Sequence, residues 1–519
     1  MASAEDTKLP FEDYAQTPVS RNASQDAEVL PFTTHSDIAY ELYAESLQMD
    51  PIRRGMVARS VLRKLDFIIL PMMCLVYLMS FLDKQTLNYS NAYGLQTDLN
   101  LHGTDYSWVA SVTNIGYLVF AYPSSLLLQK FPIGKFVSCA MLLWGSLLML
   151  TVLVHNWSGL MAVRFFLGGA EACIGPAWIL LTSMFWTREE QPFRMSFWLG
   201  CNGIAQLIGA GLSWGLGHAA STVLESWQLV FLVVGAISFG IGAVEFFLMP
   251  SSPNDCIFFS HEEKVVAVWR VAHNRIGVKS SKMQWYQVKE SVTDIKIYLI
   301  AFLALAIGIL NGSVTNFMSS LLKGFGFSSE KTLLYQLPNG AIQFVVTIIV
   351  GYLNTLIPNI LCLSIALGFV PGICGMIGIA TIPLTHQTAL AACAWLQAVF
   401  GVSIILSWSL IGSNVAGHTK RATANGVNFV CYAAGNIVGP FLFFSREAPR
   451  YLTAIKILAG MYAAAIVFTA ALAGVMWREN RRRDARSVEE EAVVDERAGD
   501  ERGFEDRTDG ENEAFRYRL

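Results

Sequence analysis

Twelve apolar stretches, each about as long as a bilayer is thick, leave this chain few ways to fold. They lie near residues 67–87, 107–128, 133–154, 157–184, 195–219 and 227–249, then near 296–320, 334–356, 358–381, 388–412, 422–444 and 453–477. A helix needs roughly 20 apolar residues to cross the hydrocarbon core, because in lipid each backbone N–H and C=O must be bonded within its own segment. The two sets of six are of nearly equal length and flank a polar segment, residues 251–295, that carries Lys264, Arg270, Arg275, Lys279, Lys282 and Lys289. This duplicated layout predicts an all-α membrane protein with 12 transmembrane helices in two six-helix bundles, residues 66–250 and 296–477, joined by a cytosolic central loop, residues 251–295. A composition of 53% hydrophobic and only 15% charged residues lies far from that of a soluble chain.

Basic residues near the span ends set the orientation. Arg53, Arg54, Arg59, Arg63 and Lys64 precede span 1, Lys130 and Lys135 lie between spans 2 and 3, Arg188 and Arg194 between spans 4 and 5, and Arg478, Arg481, Arg482 and Arg483 follow span 12. Both termini and the central loop are therefore expected in the cytosol. The second half follows the rule less well, with Lys323, Lys331, Arg446 and Arg450 on the expected outer side. Residues 1–65 are expected to form a mostly disordered cytosolic tail, and residues 478–519 an acidic cytosolic one.

Several function classes find no support. A net charge of −3 without a basic stripe argues against nucleic acid. No GxxxxGK[ST] loop is present, so ATP is not expected to drive the protein directly. The nine cysteines show no CxxC spacing, and the eight histidines no paired metal pattern; neither a metal nor another cofactor is expected. No nucleophile, base or metal constellation suggests an enzyme.

The residues that invite chemistry are polar groups inside apolar spans. Span 4 carries Arg164 and Glu171, two helical turns apart and so on one face, about 10 Å from each other along the axis. A charge in hydrocarbon costs at least roughly 2.5–3.5 kcal/mol, so such groups turn toward a partner or a water-filled path. A solute pathway and a salt bridge that only fixes packing both satisfy that requirement. Span 1 ends in Asp83 and Lys84, which point about 100° apart on a helix, so that each needs its own partner or water; charges that snorkel to the interface are the competing reading. Asn311, Thr315 and Asn316 on span 7 suit either a polar solute or helix-to-helix hydrogen bonding. Lys420 and Arg421, at the start of span 11, read as a cytosolic gate or topological anchor, as do Lys130 and Lys135.

Together these strings resemble the major facilitator superfamily, and within it the anion:cation symporters, particularly the fungal allantoate permease family. The matching runs are Phe81-Leu82-Asp83-Lys84, Gln129-Lys130-Phe131-Pro132-Ile133-Gly134-Lys135, Arg164-Phe165-Phe166-Leu167-Gly168 with Glu171, Glu190-Gln191-Pro192-Phe193-Arg194, Gly324-Phe325-Gly326-Phe327, Gly417-His418-Thr419-Lys420-Arg421 and Gly435-Asn436-Ile437-Val438-Gly439-Pro440. The superfamily's loop between spans 2 and 3 normally reads G-x-x-x-D-R-x-G-R; here Ser125, Gln129 and Lys130 replace its first Gly, its Asp and its Arg.

The resemblance implies a secondary transporter working by alternating access. Vesicular glutamate transporters of the same group use an Arg in span 4, a Glu seven residues later and a basic residue in span 1, positions matched by Arg164, Glu171 and Lys84. It thus implies substrate contact by Arg164 and Lys84, with Asn311, Thr315 and Asn316 added from the reading of span 7. It implies proton coupling by Glu171, with Asp83 as the next candidate. Those relatives also carry an Arg in span 7 that this chain lacks, which points to a monoanion or a mixed polar and anionic solute, more like a small carboxylate than a dicarboxylate. The expected activity is proton-coupled uptake of a small organic anion, such as a ureido acid or vitamin carboxylate, by a monomer in a fungal plasma membrane. Export of a secondary metabolite is the alternative transport reading, and a nutrient sensor on a transporter fold the alternative of another class.

Overall fold

The computed structural model describes residues 42–43, 45–187, 190–218, 224–272, 284–357, 359–489, 508–512 and 515–519. The tail expected to be disordered falls outside these up to residue 41 and at residue 44, as do Arg188, Arg275, Lys279 and Lys282 from the charge pattern. The described residues hold helices and no strand. In chain order the spans are Leu70–Ala92, Asp105–Lys130, Ile133–Leu150, Trp157–Glu171 with Ile174–Phe185, Gln191–Gly217 and Ser226–Leu248. The second set is Ile295–Gly324, Leu337–Leu356, Leu361–Thr381, Gln387–Trp395 with Phe400–Asn414, His418–Val438 and Leu452–Glu489. Among the described residues, nine helical stretches are long and apolar enough to cross a membrane. Three more polar helices, Asp105–Lys130, Gln191–Gly217 and His418–Val438, occupy the places of spans 2, 5 and 11. These three carry Ser107, Ser111, Gln206 and Asn436, which bond to neighbouring spans rather than to lipid.

Two prolines explain local departures from regular helix. Pro176 cannot donate a hydrogen bond and its ring crowds the carbonyl four residues back, at Ala172; span 4 breaks there, and its first helix ends at Glu171. Pro71 does the same to span 1, where the backbone widens into a π-helical turn at Leu65–Ile69. Span 12 continues past its apolar end at residue 477 to Glu489, carried by a run rich in Arg and Glu, residues with good helix propensity.

Glycines set how closely the spans approach. A Cβ on Gly168 would collide with the Thr113 carbonyl oxygen, and one on Gly116 with that of Phe165, so spans 2 and 4 touch backbone to backbone. Gly203 of span 5 and Gly340 of span 8 face each other in the same way and join the two halves. Because backbone cannot yield as a side-chain tip can, Gly168→Val is expected to destabilise the fold by at least about 1–3 kcal/mol. Gly240, with open space where a Cβ would go, supplies the control in Gly240→Ala. Melting temperature and monodispersity in detergent check this: the Gly168 variant should fall well below wild type and the Gly240 variant should match it.

Candidate substrate and coupling site

The inner part of the N-terminal half gathers charges from spans 1 and 4 and their partners from spans 2 and 6. Asp83 is fully buried, and the Ser238 hydroxyl of span 6 lies 3.3 Å from each of its carboxylate oxygens. Lys84, turned about 100° away on the same helix, reaches span 4 instead and places Nζ 3.1 Å from Glu171 Oε2. Adjacent residues on span 1 thus take separate partners, as their spacing requires. Glu171 Oε2 also receives a long hydrogen bond of 3.4 Å from Ser80, while Oε1 has no partner. The pair is asymmetric in burial: the Glu171 side chain is 0% exposed and that of Lys84 37%, so only the lysine meets open space. The Tyr117 ring, 5.7 Å from Nζ, gives that ammonium an aromatic face.

Arg164 does not pair with Glu171. It is 2% exposed, its guanidinium carbon is 5.2 Å from the Phe231 ring, and its Nε and Nη2 have no hydrogen-bond partner. Leaving charged donors unpaired in a buried site is costly, and an anion placed there would offset that cost. The packing salt bridge that the sequence allowed for span 4 is therefore made by Glu171 with Lys84, whereas Arg164 keeps two donors free.

Span 7 behaves differently. Asn311 donates to Asn436 Oδ1 on span 11 at 2.8 Å, and Asn316 donates to the Gly312 carbonyl of its own helix at 2.8 Å. The Asn316 carbonyl in turn accepts from the Tyr106 hydroxyl of span 2 at 2.8 Å. These are helix-to-helix and intrahelical bonds; Thr315 is half-buried.

The two halves meet at the ends of the spans remote from the central loop. Asn88 donates to Gln336 at 2.8 Å and accepts from the Ser319 backbone at 2.9 Å, Asn91 donates to Ser320 at 2.7 Å, and Ser107 and Ser111 donate to the carbonyls of Pro440 and Ile437. Tyr106 edges against Phe317, and Tyr117 stacks on Phe429 deeper in. This seal closes one face of the molecule. Lys130, Lys135, Lys420 and Arg421 lie at the opposite face. Lys135 approaches the Phe246 ring, Arg421 donates to the Val415 carbonyl, and Lys420 pairs with Glu290, Asp294 and Asp509.

Ser80, Tyr117, Phe231 and Ser238 join the site without having been marked in the sequence. Outside this cluster, Glu245 lies two turns from Ser238 on span 6, 3% exposed with both carboxylate oxygens unpartnered. Its isolation in an apolar span was the one available signal for it.

The Major Facilitator Superfamily model matches residues 73–440. An uncharacterized transporter, C417.10, of Schizosaccharomyces pombe is 36% identical over 463 residues, covering 89% of each chain. The allantoate permease of Saccharomyces cerevisiae is 31% identical over 531 residues, covering 99% of this chain and 96% of the permease. Among solved structures, a bacterial homolog of the human lysosomal transporter Spinster, in an inward-facing and unoccupied conformation, superposes with a TM-score of 0.56 at 15% identity, over 82% of this chain and 96% of that one. With its six-plus-six helical order, a superfamily match across both halves and an allantoate permease aligned almost end to end, the chain belongs to the major facilitator superfamily and, within it, to the fungal allantoate permease family.

Proposed function

We propose that this transporter carries a small organic anion into the cell together with a proton, using Arg164 and Lys84 to hold the carboxylate and Glu171 to exchange the proton. The observation that carries the reading is Arg164, buried with two guanidinium donors unused. A carboxylate offers a planar pair of acceptors that fits such a donor fork. Lys84 stands on the exposed side of its pair with Glu171, able to turn from one carboxylate to another. A relative that is by name an allantoate permease is in keeping with a ureido acid or a similar carboxylate. Uptake of labelled carboxylates by transporter-deficient yeast, at acid and neutral external pH and with or without a protonophore, tests the proposal. Uptake of an anion that rises with acidity and collapses with the protonophore supports it; uptake indifferent to both overturns the coupling.

The same reading puts both termini and the central loop in the cytosol of a plasma-membrane protein, which makes the sealed face the outer one and the state an inward-open one. A reporter fused after Leu519 should be inaccessible to impermeant reagents in intact cells, and labelling without permeabilisation would reverse the topology.

A further inference from the structure

The sequence marks Lys420 as a gate residue, but its ammonium, 1% exposed, points to the end of the chain. It lies 2.8 Å from Glu290, 3.0 Å from Asp294 and 2.8 Å from Asp509. Asp509, itself 0% exposed, also receives Lys296 at 2.8 Å and the Tyr517 hydroxyl at 2.7 Å. Burying a carboxylate is costly unless it is paired, and Asp509 is paired on every side found, so the placement is specific rather than a loose charge run on a surface. Residues 508–512 and 515–519 are held by the inner ends of several spans. Arg483 of span 12 donates to the Asp509 carbonyl at 2.8 Å, Asn414 of span 10 exchanges hydrogen bonds with the Arg518 backbone, and the Leu361 N–H of span 9 donates to the Leu519 carbonyl at 2.8 Å.

The loop between spans 10 and 11 is shaped to receive this segment. The Ala416 N–H donates to Asp509 at 3.4 Å. Gly417 adopts a φ of +87°, and a Cβ there would sit 3.0 Å from Thr508 Cγ2, leaving no room for a side chain. Among the described residues, the hydrogen bonds and ring stack found between span 11 with its continuation and span 2 lie toward the sealed face, at Ser107, Ser111 and the Tyr117–Phe429 pair. Closing the opposite face therefore requires the inner end of span 11 to swing toward the inner end of span 2. A segment that ties the span 10–11 loop to Lys296 of span 7 and Arg483 of span 12 resists that swing.

We propose that residues 508–512 and 515–519 form an intramolecular latch, keyed by Asp509 between Lys296 and Lys420, that holds the inner ends of the C-terminal half in place and favours the state open on the central-loop face. The proposal depends on neither the solute nor the coupling ion. Burial pushes the Asp509 carboxyl up, but Lys296 and Lys420 outweigh it and hold the group below its ordinary value. Its contribution to docking is therefore complete above the usual carboxylate range and fades only as pH falls through the depressed value. At cytosolic pH the key stays charged, and release has to come from something that displaces the segment.

The test uses the full chain in lipid nanodiscs without solute or gradient, with spin labels on Phe131→Cys and Ala422→Cys, both exposed at the inner ends of spans 2 and 11, in a background free of the exposed Cys139 and Cys374. Amide exchange across residues 508–519 is measured on the same samples. Wild type should show slow exchange and a predominantly long label distance. Asp509→Asn removes the key isosterically, and Thr508→Glu puts a carboxylate beside Asp509 in a fully buried position. Both should speed exchange at least about tenfold and raise the ratio of short to long distances about fivefold or more, the lower end of a typical coupling free energy. Deletion of residues 508–519 should do the same, and the two point variants carry the test if the deletion does not fold. Fast exchange in wild type, or faster exchange in the variants with an unchanged distance distribution, overturns the latch.

Discussion

Arg164→Ala is expected to lower uptake of the anionic solute at least about 30-fold while leaving the protein at its normal abundance in the membrane. Truncating one partner of a buried, hydrogen-bonded charge pair costs about 2–5 kcal/mol, and 2 kcal/mol is already a factor of roughly 30 in binding. Abundance should hold because Arg164 Nε and Nη2 bond to no protein group, so their loss orphans no protein acceptor. What the fold loses is the contact of the guanidinium with Phe231, a cation–π interaction of about 1–2 kcal/mol. Arg164→Lys preserves the charge but replaces the planar fork by a point donor. It should recover part of the Phe231 contact and little of the uptake. Initial rates over a range of solute concentrations, normalised to surface protein, separate the effects. Wild-type rates in Arg164→Ala would leave Arg164 with a packing role only.

The fold was legible because lipid imposes a length and a polarity on every spanning helix, and both are local properties of the sequence. Even spans 2, 5 and 11, whose serines, glutamine and asparagine spoil their hydropathy, kept enough apolar length to be placed. Departures from regular helix followed from proline chemistry at Pro71 and Pro176, whereas Pro123 stayed inside a continuous helix. Partners were another matter. That Asp83 would need a partner followed from its charge, but that the partner would be Ser238, 155 residues away, depends on how spans 1 and 6 cross. An asparagine on span 7 looks the same in sequence whether it faces a solute or a neighbouring helix, and Asn311 turned out to bond Asn436. Lys420 carried no local sign that a counter-charge would come from Asp509, far along the chain beyond the last span.

Glu171→Gln is expected to separate exchange from accumulation: labelled solute should still equilibrate across the membrane, but the gradient driven by an imposed pH difference should fall to about unity. Lys84 is central to this outcome. Its ammonium pairs with Glu171, and under the proposed mechanism an arriving carboxylate competes for the same cation. When the solute wins, Glu171 is left among Ala170, Ala172 and Cys173 without a counter-charge, where an unpaired carboxylate is costly, and a proton can replace the lysine. Gln cannot make that exchange, because it stays neutral throughout, yet its carbonyl can still accept from Lys84 or Ser80 at nearly the same positions. The fold should survive because Lys84 is 37% exposed and solvent takes over part of its charge, unlike a fully buried cation stripped of its partner. If Glu171 serves only as a packing counter-ion, the variant should instead reach the surface poorly and lose exchange and accumulation together. If Glu171→Gln still concentrates solute in proportion to the pH gradient, the proton travels on another buried carboxylate. Asp83 and Glu245 are the groups to replace next, and Glu245, with both oxygens unpartnered, is the one whose amide variant disturbs fewest bonds.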